Sequence, residues 1–156
     1  MRMIVIAVGH RMPAWVQSGF AEYACRLPRP AQIELIEVRP VRRSAAVGVE
    51  RAMTQEESRI EAAVPAGCRR VVLDERGVEL TSIELSRRVE TWLGAGRDVA
   101  LVIGGADGLT ERFRKTADLV LALSRLTLPH GLARVLLAEQ LYRAISIMHN
   151  HPYHRE

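Results

Sequence analysis

Two glycines follow an apolar run near the middle of the chain and could form part of a ligand site. Gly104 and Gly105 open the sequence GGADGL, directly after the apolar residues Val99–Ile103. Glycine lets the backbone approach a ligand closely and adopt positive φ angles. The pattern is neither GxGxxG nor GxxxxGK[ST], so it favours neither a dinucleotide-binding turn nor a phosphate-binding P-loop. We therefore expect a small-ligand site of a different kind at these glycines.

A second candidate segment, residues 124–131, has the sequence SRLTLPHG. Its backbone amides and leucine side chains are suited to holding an adenine ring. The alternative interpretation is a Pro/Gly linker that leads into the final helix. Asp74, which follows the apolar residues 71–73, is a further candidate: it either accepts a hydrogen bond from a ligand hydroxyl or amine, or is an ordinary turn residue.

The C-terminal residues 149–156 concentrate imidazole, phenol and guanidinium groups. His149, His151 and His154 raise the question of a metal site. No cluster of cysteines or carboxylates accompanies them, and Pro152 prevents the three from sharing a helix face, so we expect no metal. A tail that bonds to and stacks on RNA, or on a neighbouring subunit, is favoured instead.

The elements that must position these segments alternate between strand and helix patterns. Strands are predicted at 3–8, 33–38, 71–74, 99–103 and 119–123, and helices at 13–27, 49–64, 81–93 and 132–148. This alternation predicts one α/β domain over residues 1–156, with a mostly parallel sheet and flanking helices. Ligands bind at the carboxyl ends of strands in such sheets, where Asp74, the glycines and segment 124–131 all lie. On the last helix, Glu139 and Arg143 are four residues apart and are expected to share a face, if only as a surface ion pair.

Composition excludes several classes of protein. With 156 residues, 48% apolar and 26% charged, the chain is unlike collagen, a disordered protein or a disulfide-stapled miniprotein. Its apolar runs are shorter than the roughly 20 residues of a membrane-spanning helix, and the N-terminus lacks the layout of a signal peptide, so a cytoplasmic protein is expected. Cys25 and Cys68 form no CxxC pair, and GxSxG is absent, so zinc-ribbon, thioredoxin and serine-hydrolase chemistry have no support.

The net charge of +4 permits a polyanionic partner. Lys115 is the only lysine among 22 basic residues, and arginine suits phosphate recognition better than lysine does. Genome base composition is an equally good explanation of that preference. Residues 39–47, which include Arg42 and Arg43, have no periodicity and are predicted to form a mobile basic loop.

Several motifs together strongly resemble the ribosomal RNA large-subunit methyltransferase H family, which belongs to the SPOUT class. They are GGADGL at 104–109, LSRLTLPH at 123–130, RVLLAEQLYR at 134–143 and the ending NHPYHRE, preceded by the opening MIVIAVGHRMPAWVQSGFAEY. The resemblance thus covers essentially the whole chain. It implies an α/β fold with a C-terminal trefoil knot, which general topology rules would not predict. It also implies an intertwined homodimer.

The family uses S-adenosylmethionine to methylate N3 of a pseudouridine in large-subunit rRNA of assembled ribosomes. Carried onto this sequence, the resemblance implies that the cofactor binds at the strand end, the glycine loop and the segment after the last strand. The residues are Leu73, Gly104, Gly105, Leu123, Ser124, Arg125, Leu126, Thr127 and Leu128. The family's basic loop is rich in lysine, whereas this chain has arginine at 42 and 43.

The same resemblance places the chemistry in the last helix and the tail, at Arg143, Tyr153, His154 and Arg155. His154 is the candidate to handle the N3 proton, and the arginines are candidates to stabilise charge on the flanking carbonyls. The tail of one subunit is expected to reach the cofactor of its partner. One competing hypothesis is a non-catalytic ribosome- or RNA-binding α/β module, which would not require three ligand-binding strand ends. The other is an enzyme of another cofactor class, such as a nucleotide hydrolase, which would require a P-loop or metal-binding carboxylates that the sequence lacks.

Overall fold

Strands and helices alternate along the chain in a computed structural model that describes residues 1–155. The strands are β1 (Met3–Val8), β2 (Ile33–Val38), β3 (Arg69–Glu79), β4 (Val99–Ile103) and β5 (Leu119–Ala122). The α-helices are α1 (Ala14–Ala24), α2 (Val49–Ala63), α3 (Ser82–Ala95), α4 (Glu111–Arg114) and α5 (His130–Met148), and a short 3-10 turn covers Arg29–Ala31. Every predicted strand and helix is present, with ends that differ from the prediction by at most three residues except at β3, and α4 is an addition.

The five strands form one sheet in the order β2-β1-β4-β3-β5, and every neighbouring pair is parallel. This confirms the predicted α/β fold with a parallel sheet. The central strands β1 and β4 are buried along their whole length, as their unbroken apolar sequences require. The carboxyl ends of all five strands meet at one edge of the sheet.

Alternate residues of each strand point into two separate cores. Met3, Val5 and Leu101 face the layer formed by α1, α3 and α5. Ile4, Ile6 and Val102 face the opposite layer, which includes Ile60 of α2 and Phe113 of α4. The fold is therefore three layers deep, with helices on both sides of the sheet. Within residues 1–155, no helix combines the length and apolar character needed to cross a bilayer.

Helix α5 is the most enclosed helix, because no residue from 130 to 148 is fully exposed. It packs against α1 on one side and α3 on the other. The sequence predicted one broad apolar face on this helix. In the structure, Leu141 and Ile145 are buried in the core, whereas Leu132 and Leu136 are only partly covered.

Strand β3 is longer than predicted because it contains a bulge. Its pairing with β5 shifts register between Leu73 and Val78 and then resumes. At Gly77, in the bulge, a Cβ atom would lie 2.6 Å from the Val120 carbonyl oxygen. Glycine is required at this close approach of two backbones. The bulge carries residues 74–77 outward at the carboxyl edge of the sheet.

A buried arginine, paired with a partly exposed glutamate, fixes the start of α5. Arg134 is 1% exposed; its Nη1 donates to Glu37 Oε2 (2.8 Å) and its Nη2 donates to the Gly9 carbonyl oxygen (2.9 Å). A Cβ atom at Gly9, whose φ is +134°, would lie 2.9 Å from that same Nη2. The helix therefore begins at the carboxyl ends of β1 and β2. Because β5 is the opposite edge strand, residues 123–129 must cross the carboxyl ends of β3 and β4.

Substitutions of Glu37 and Arg134 are expected to lower the free energy of unfolding by unequal amounts. Glu37→Met leaves a permanently charged guanidinium buried without a counter-charge, and should lower the free energy of unfolding by about 3–5 kcal/mol. Arg134→Met leaves Glu37 accessible to water and one buried carbonyl unpaired, and should cost about 1–3 kcal/mol. Urea unfolding at equal protein concentrations measures both. A larger loss for Arg134→Met would contradict this account.

Candidate functional site

A cavity of about 260 Å³ lies at the carboxyl ends of β3, β4 and β5. Three loops form its walls: the β3 bulge, the glycine loop after β4 and the segment that crosses from β5 to α5. The first turn of α5 closes one side through His130 and Ala133. A parallel sheet is expected to bind ligands at this edge.

Eight of the nine residues expected to contact a cofactor line this single cavity. They are Leu73, Gly104, Gly105, Leu123, Ser124, Leu126, Thr127 and Leu128. Arg125 is exposed and does not line it. Leu126 is 75% exposed although it is large and apolar, so a ligand in the cavity would cover surface that water now contacts.

The glycine loop is a tight turn that only glycine permits at several positions. The Gly108 N–H donates to the Gly105 carbonyl oxygen (3.0 Å), and Gly108 has φ +73°. A Cβ atom at Gly104 would lie 2.9 Å from the Gly108 carbonyl carbon. At Gly105 a Cβ atom would lie 3.0 Å from Val8 Cγ1 and 3.2 Å from Glu56 Oε1. Gly105 therefore presents only its backbone to the cavity, and its missing side chain leaves room for Glu56.

Residues 39–47 form an irregular loop, as the sequence predicted, and buried contacts hold two of its residues, Val41 and Arg43. Glu56 is 1% exposed and accepts hydrogen bonds from the Val41 N–H (2.9 Å), Arg43 Nη1 (2.7 Å) and Arg43 Nη2 (3.0 Å). Arg43 Nε also donates to Asp107 Oδ2 (3.0 Å) in the glycine loop. We call Arg43, Glu56 and Asp107 the Arg43 cluster. Hydrogen bonding to Glu56 raises the pKa of the Arg43 guanidinium, while Arg42 remains exposed.

Two acidic residues of the β3 bulge also lie at the cavity. Asp74 Oδ1 accepts a hydrogen bond from the Arg76 N–H (2.8 Å), which confirms the turn interpretation of Asp74. Its other oxygen lies 3.5 Å from Arg114 Nη1. Glu75 Oε2 accepts a hydrogen bond from the Thr127 hydroxyl (2.6 Å), which joins the bulge to the crossing segment. The cavity wall is therefore acidic as well as apolar.

Glu75, Asp107 and His130 also line the cavity. The sequence analysis did not single out Glu75, and it named the segments that contain Asp107 and His130 without giving either side chain a role. Asp107 stands within the quoted glycine motif, and Glu75 follows a predicted strand end, so position alone could have found both. His130 lines the cavity, and its Nδ1 is buried without a hydrogen-bond partner. A polar atom in that state is available to a ligand.

The tail folds back on its own helix. Asn150 has φ +53°, and the His151 N–H donates to the Ser146 carbonyl oxygen (2.9 Å), which turns the chain at the end of α5. The Tyr153 hydroxyl then donates to Glu139 Oε1 (2.9 Å). Its ring packs edge-on against Tyr142, with centroids 4.7 Å apart. The tail therefore packs against the end of α5, and none of residues 149–155 joins either apolar core.

The four expected catalytic residues share this end of α5 and lie apart from the cavity lining. Arg143 pairs with Glu139, and its guanidinium carbon lies 4.8 Å from the centre of the Tyr153 ring. Both ring nitrogens of His154 are buried and have no hydrogen-bond partner among residues 1–155, whereas Arg155 is exposed. Among residues 1–155, no group of three or more His, Cys, Asp or Glu side chains is arranged to hold a metal ion. Glu156, the last residue of the tail motif, lies outside the described residues.

Comparisons with known proteins agree with this architecture. A family model described as "Predicted SPOUT methyltransferase" matches residues 1–154. Ribosomal RNA large subunit methyltransferase H of Janthinobacterium sp. (strain Marseille) is 54% identical over 155 residues, covering 99% of each chain. The protein of the same name from Nitrosospira multiformis is 55% identical over 155 residues, again covering 99% of each. A probable methyltransferase from Bordetella pertussis Tohama I has the same fold, with a TM-score of 0.60 at 17% identity, covering 92% of this chain and 96% of that one.

The ionisation of Tyr153 provides a test of the docked tail. Burial and the hydrogen bond to Glu139 raise the pKa of Tyr153 above its ordinary value. Its contribution to stability is therefore complete below the ordinary tyrosine pKa of about 10, and is lost as the pH rises toward the raised pKa. We expect Tyr153→Phe to lower the free energy of unfolding by about 1 kcal/mol near neutral pH.

The difference in free energy of unfolding between the wild type and Tyr153→Phe should then shrink above about pH 10. Urea unfolding of the wild type and of Tyr153→Phe across this range measures it. A difference that stays constant, or grows, would mean that the phenol is not docked as described.

Proposed function

The chain belongs to the SPOUT methyltransferase family, and we propose that it transfers a methyl group from S-adenosylmethionine to large-subunit ribosomal RNA. The observation that carries the proposal is the cavity built from residues 73–76, 103–108 and 123–128. Relatives more than half identical over nearly the whole chain are named for methylation of large-subunit rRNA. The finer proposal is that the methyl acceptor is N3 of a pseudouridine in 23S rRNA of the assembled ribosome.

The cavity residues fit S-adenosylmethionine in their chemistry. Leu73, Leu126 and Leu128 offer apolar surface to an adenine ring, and the glycine loop offers backbone groups for hydrogen bonds. Glu75 and Asp107 supply negative charge near a ligand that carries a sulfonium and an ammonium group. When bound, S-adenosylmethionine supplies an electrophilic methyl group on a positively charged sulfur.

The residues of the last helix and the tail are proposed to act on the acceptor base. As the carbon–nitrogen bond forms, N3 loses its proton, and the His154 imidazole is the proposed acceptor of that proton. Its two unpartnered ring nitrogens support this role. Arg143 and Arg155 are proposed to stabilise the charge on the carbonyls beside N3, and the Tyr153 ring holds Arg143 in place.

A complete site requires the cavity and the tail to meet, and the geometry of one subunit separates them. The cavity contacts α5 at His130 and Ala133, whereas Tyr153 docks at Glu139. At about 1.5 Å per residue, Ala133, the cavity residue nearer to the tail, and Glu139 lie about 9 Å apart along the helix. We therefore assign the complete site to a homodimer, in which the tail of one subunit lies beside the cavity of its partner. The partly covered Leu132 and Leu136, and Trp15 at 57% exposure, offer apolar surface for that contact.

The trefoil knot is part of the same proposal. It is supported by the path of residues 123–129, which cross the ends of β3 and β4 before α5 is fixed at Gly9. The crossing segment and the glycine loop line the same cavity from different sides. If this segment threads through the loops that precede it, the loops that form the cavity walls are the same loops that form the knot.

Leu126 offers the sharpest test of cofactor binding. Leu126→Ala removes an exposed apolar side chain from the cavity, so it should weaken S-adenosylhomocysteine binding by about tenfold, or about 1.4 kcal/mol, while leaving stability unchanged. Val49→Ala, at a side chain that is 51% exposed and outside the cavity, is the matched control and should retain full affinity. Titration calorimetry and urea unfolding measure the two effects.

The same proteins should be assayed for labelled methyl transfer to ribosomes that lack the modification. A wild type that binds ribosomes but neither S-adenosylhomocysteine nor methyl donor would be a non-catalytic binding module, and the proposed function would be wrong.

Mixing two inactive variants tests the shared site. His154→Ala removes the proposed proton acceptor, and Leu126→Asp places a charge in the cavity, so each homodimer should lose methyl transfer. Heterodimers refolded from an equimolar mixture contain one site with both defects and one with neither, and about a quarter of wild-type activity should return. Light scattering confirms the dimer. If the mixture stays inactive although heterodimers form, the cavity and His154 act within one subunit.

A further inference from the structure

Arg43 makes contacts that leave no nitrogen free for an external partner. Nη1 donates to the Val41 carbonyl oxygen (2.7 Å) and to Glu56 Oε2 (2.7 Å). Nη2 lies 3.0 Å from Glu56 Oε1 and 2.9 Å from Asp107 Oδ2, and Nε donates to Asp107. Four of the five N–H groups of the guanidinium donate hydrogen bonds within the protein, and Nη2 also makes an ion-pair contact with Asp107. The expectation that Arg43 belongs to a free basic surface with Arg42 therefore does not hold for Arg43.

The two carboxylates that Arg43 joins have very different surroundings. Glu56 is buried in α2, and the glycine loop packs directly over it at Gly105. Asp107 lies in the glycine loop, lines the cavity and is partly exposed. Both approach the same Arg43 nitrogen, so without the guanidinium two negative charges would face each other across the loop. Among residues 1–155, Glu56 would also keep only the Val41 N–H as a hydrogen-bond donor.

We propose that Arg43 is a positioning residue, which acts through Asp107 to hold the glycine loop in the shape that binds the cofactor. This inference rests on the proposed function, because it concerns the same cavity. Arg43 itself contacts neither cofactor nor RNA in this account. Its neighbour Arg42 is exposed and free to meet a polyanion. The two adjacent arginines thus have separate tasks, one toward the cofactor and one toward the ribosome.

The proposal requires a bridge between two carboxylates and not merely a positive charge. Lysine carries a compact charge that can pair with one carboxylate, but it lacks the planar fork that reaches both. Arg43→Lys should therefore keep part of the stability through Glu56 and still weaken S-adenosylhomocysteine binding by about tenfold, a typical coupling between linked sites. In steady-state assays it should raise KM for S-adenosylmethionine and leave KM for ribosomes unchanged.

A double-mutant cycle identifies the path of the effect. Asp107→Asn keeps the size of the side chain and removes its charge, so it should weaken S-adenosylhomocysteine binding by itself. In the Arg43→Lys background it should add less than it does alone, because the shared contact is already lost and only the direct effect of the Asp107 charge on the ligand remains. Fully additive losses would show that Arg43 does not act through Asp107, and would overturn the proposal.

Two neighbouring arginines supply matched controls. Arg59 Nη1 donates to the Arg39 carbonyl oxygen (2.7 Å), so Arg59→Gln loosens the other end of the same loop without touching Asp107. It should keep full S-adenosylhomocysteine affinity. Arg42→Ala should raise KM for ribosomes and leave S-adenosylhomocysteine affinity unchanged.

The outcomes separate this proposal from the proposed function. If the wild type binds no S-adenosylhomocysteine and transfers no methyl group, the proposed function itself fails. If the wild type does both and Arg43→Lys binds as tightly as the wild type, only the positioning role is wrong. If Arg43→Lys and Arg59→Gln lose S-adenosylhomocysteine affinity equally, the general order of the loop 39–47 is what matters. The proposed bridge from Arg43 to Asp107 would then be rejected.

Discussion

The candidate site depends on where the last helix begins. The chain leaves the sheet at its β5 edge, and the helix starts beside β1 and β2 toward the other edge. Arg134 joins the start of α5 to Gly9 and Glu37, at the ends of β1 and β2, while the chain has just left β5 at the opposite edge. The residues between these points have to pass over the ends of β3 and β4. They form a wall there, and the space beneath that wall is the cavity. The buried guanidinium ties the start of α5 to the ends of β1 and β2, while packing against α1 and α3 holds the rest of the helix.

The other wall of the cavity is held from the opposite layer of the fold. The glycine loop lies against Glu56 of α2, and Arg43 joins that buried carboxylate to Asp107. The crossing segment belongs to the layer of α5, and the hydrogen bond between Thr127 and Glu75 ties it to the β3 bulge. The walls of the cavity thus come from both helical layers. Two buried charged residues, Arg134 and Glu56, hold these walls in place.

Much of this arrangement was predictable from local sequence, and the rest depends on distant pairings. The unbroken apolar runs of β1 and β4 identified buried strands, and the capping box of Thr81 and Glu84 marked the start of α3. Leu73, Gly105 and Leu126 were expected to line one ligand site, because ligands bind at the carboxyl ends of parallel strands and because the family resemblance placed the cofactor there. The β3 bulge was not predictable, because Gly77 is needed only where Val120 approaches it. Arg43 looked like a free basic residue, because its partners Glu56 and Asp107 lie 13 and 64 residues away in the chain.

The span of the Arg134 contact also has a consequence for the order in which the molecule is made. Gly9 and Arg134 are separated by 125 positions. During synthesis from the N-terminus, β1 through β4 can leave the ribosome and pair before the residues that close the cavity exist. Contacts between such remote parts of a chain form slowly, since a long loop must close first. The nascent protein therefore acquires its ligand cavity in a late step of folding, after nearly all of the chain has been released.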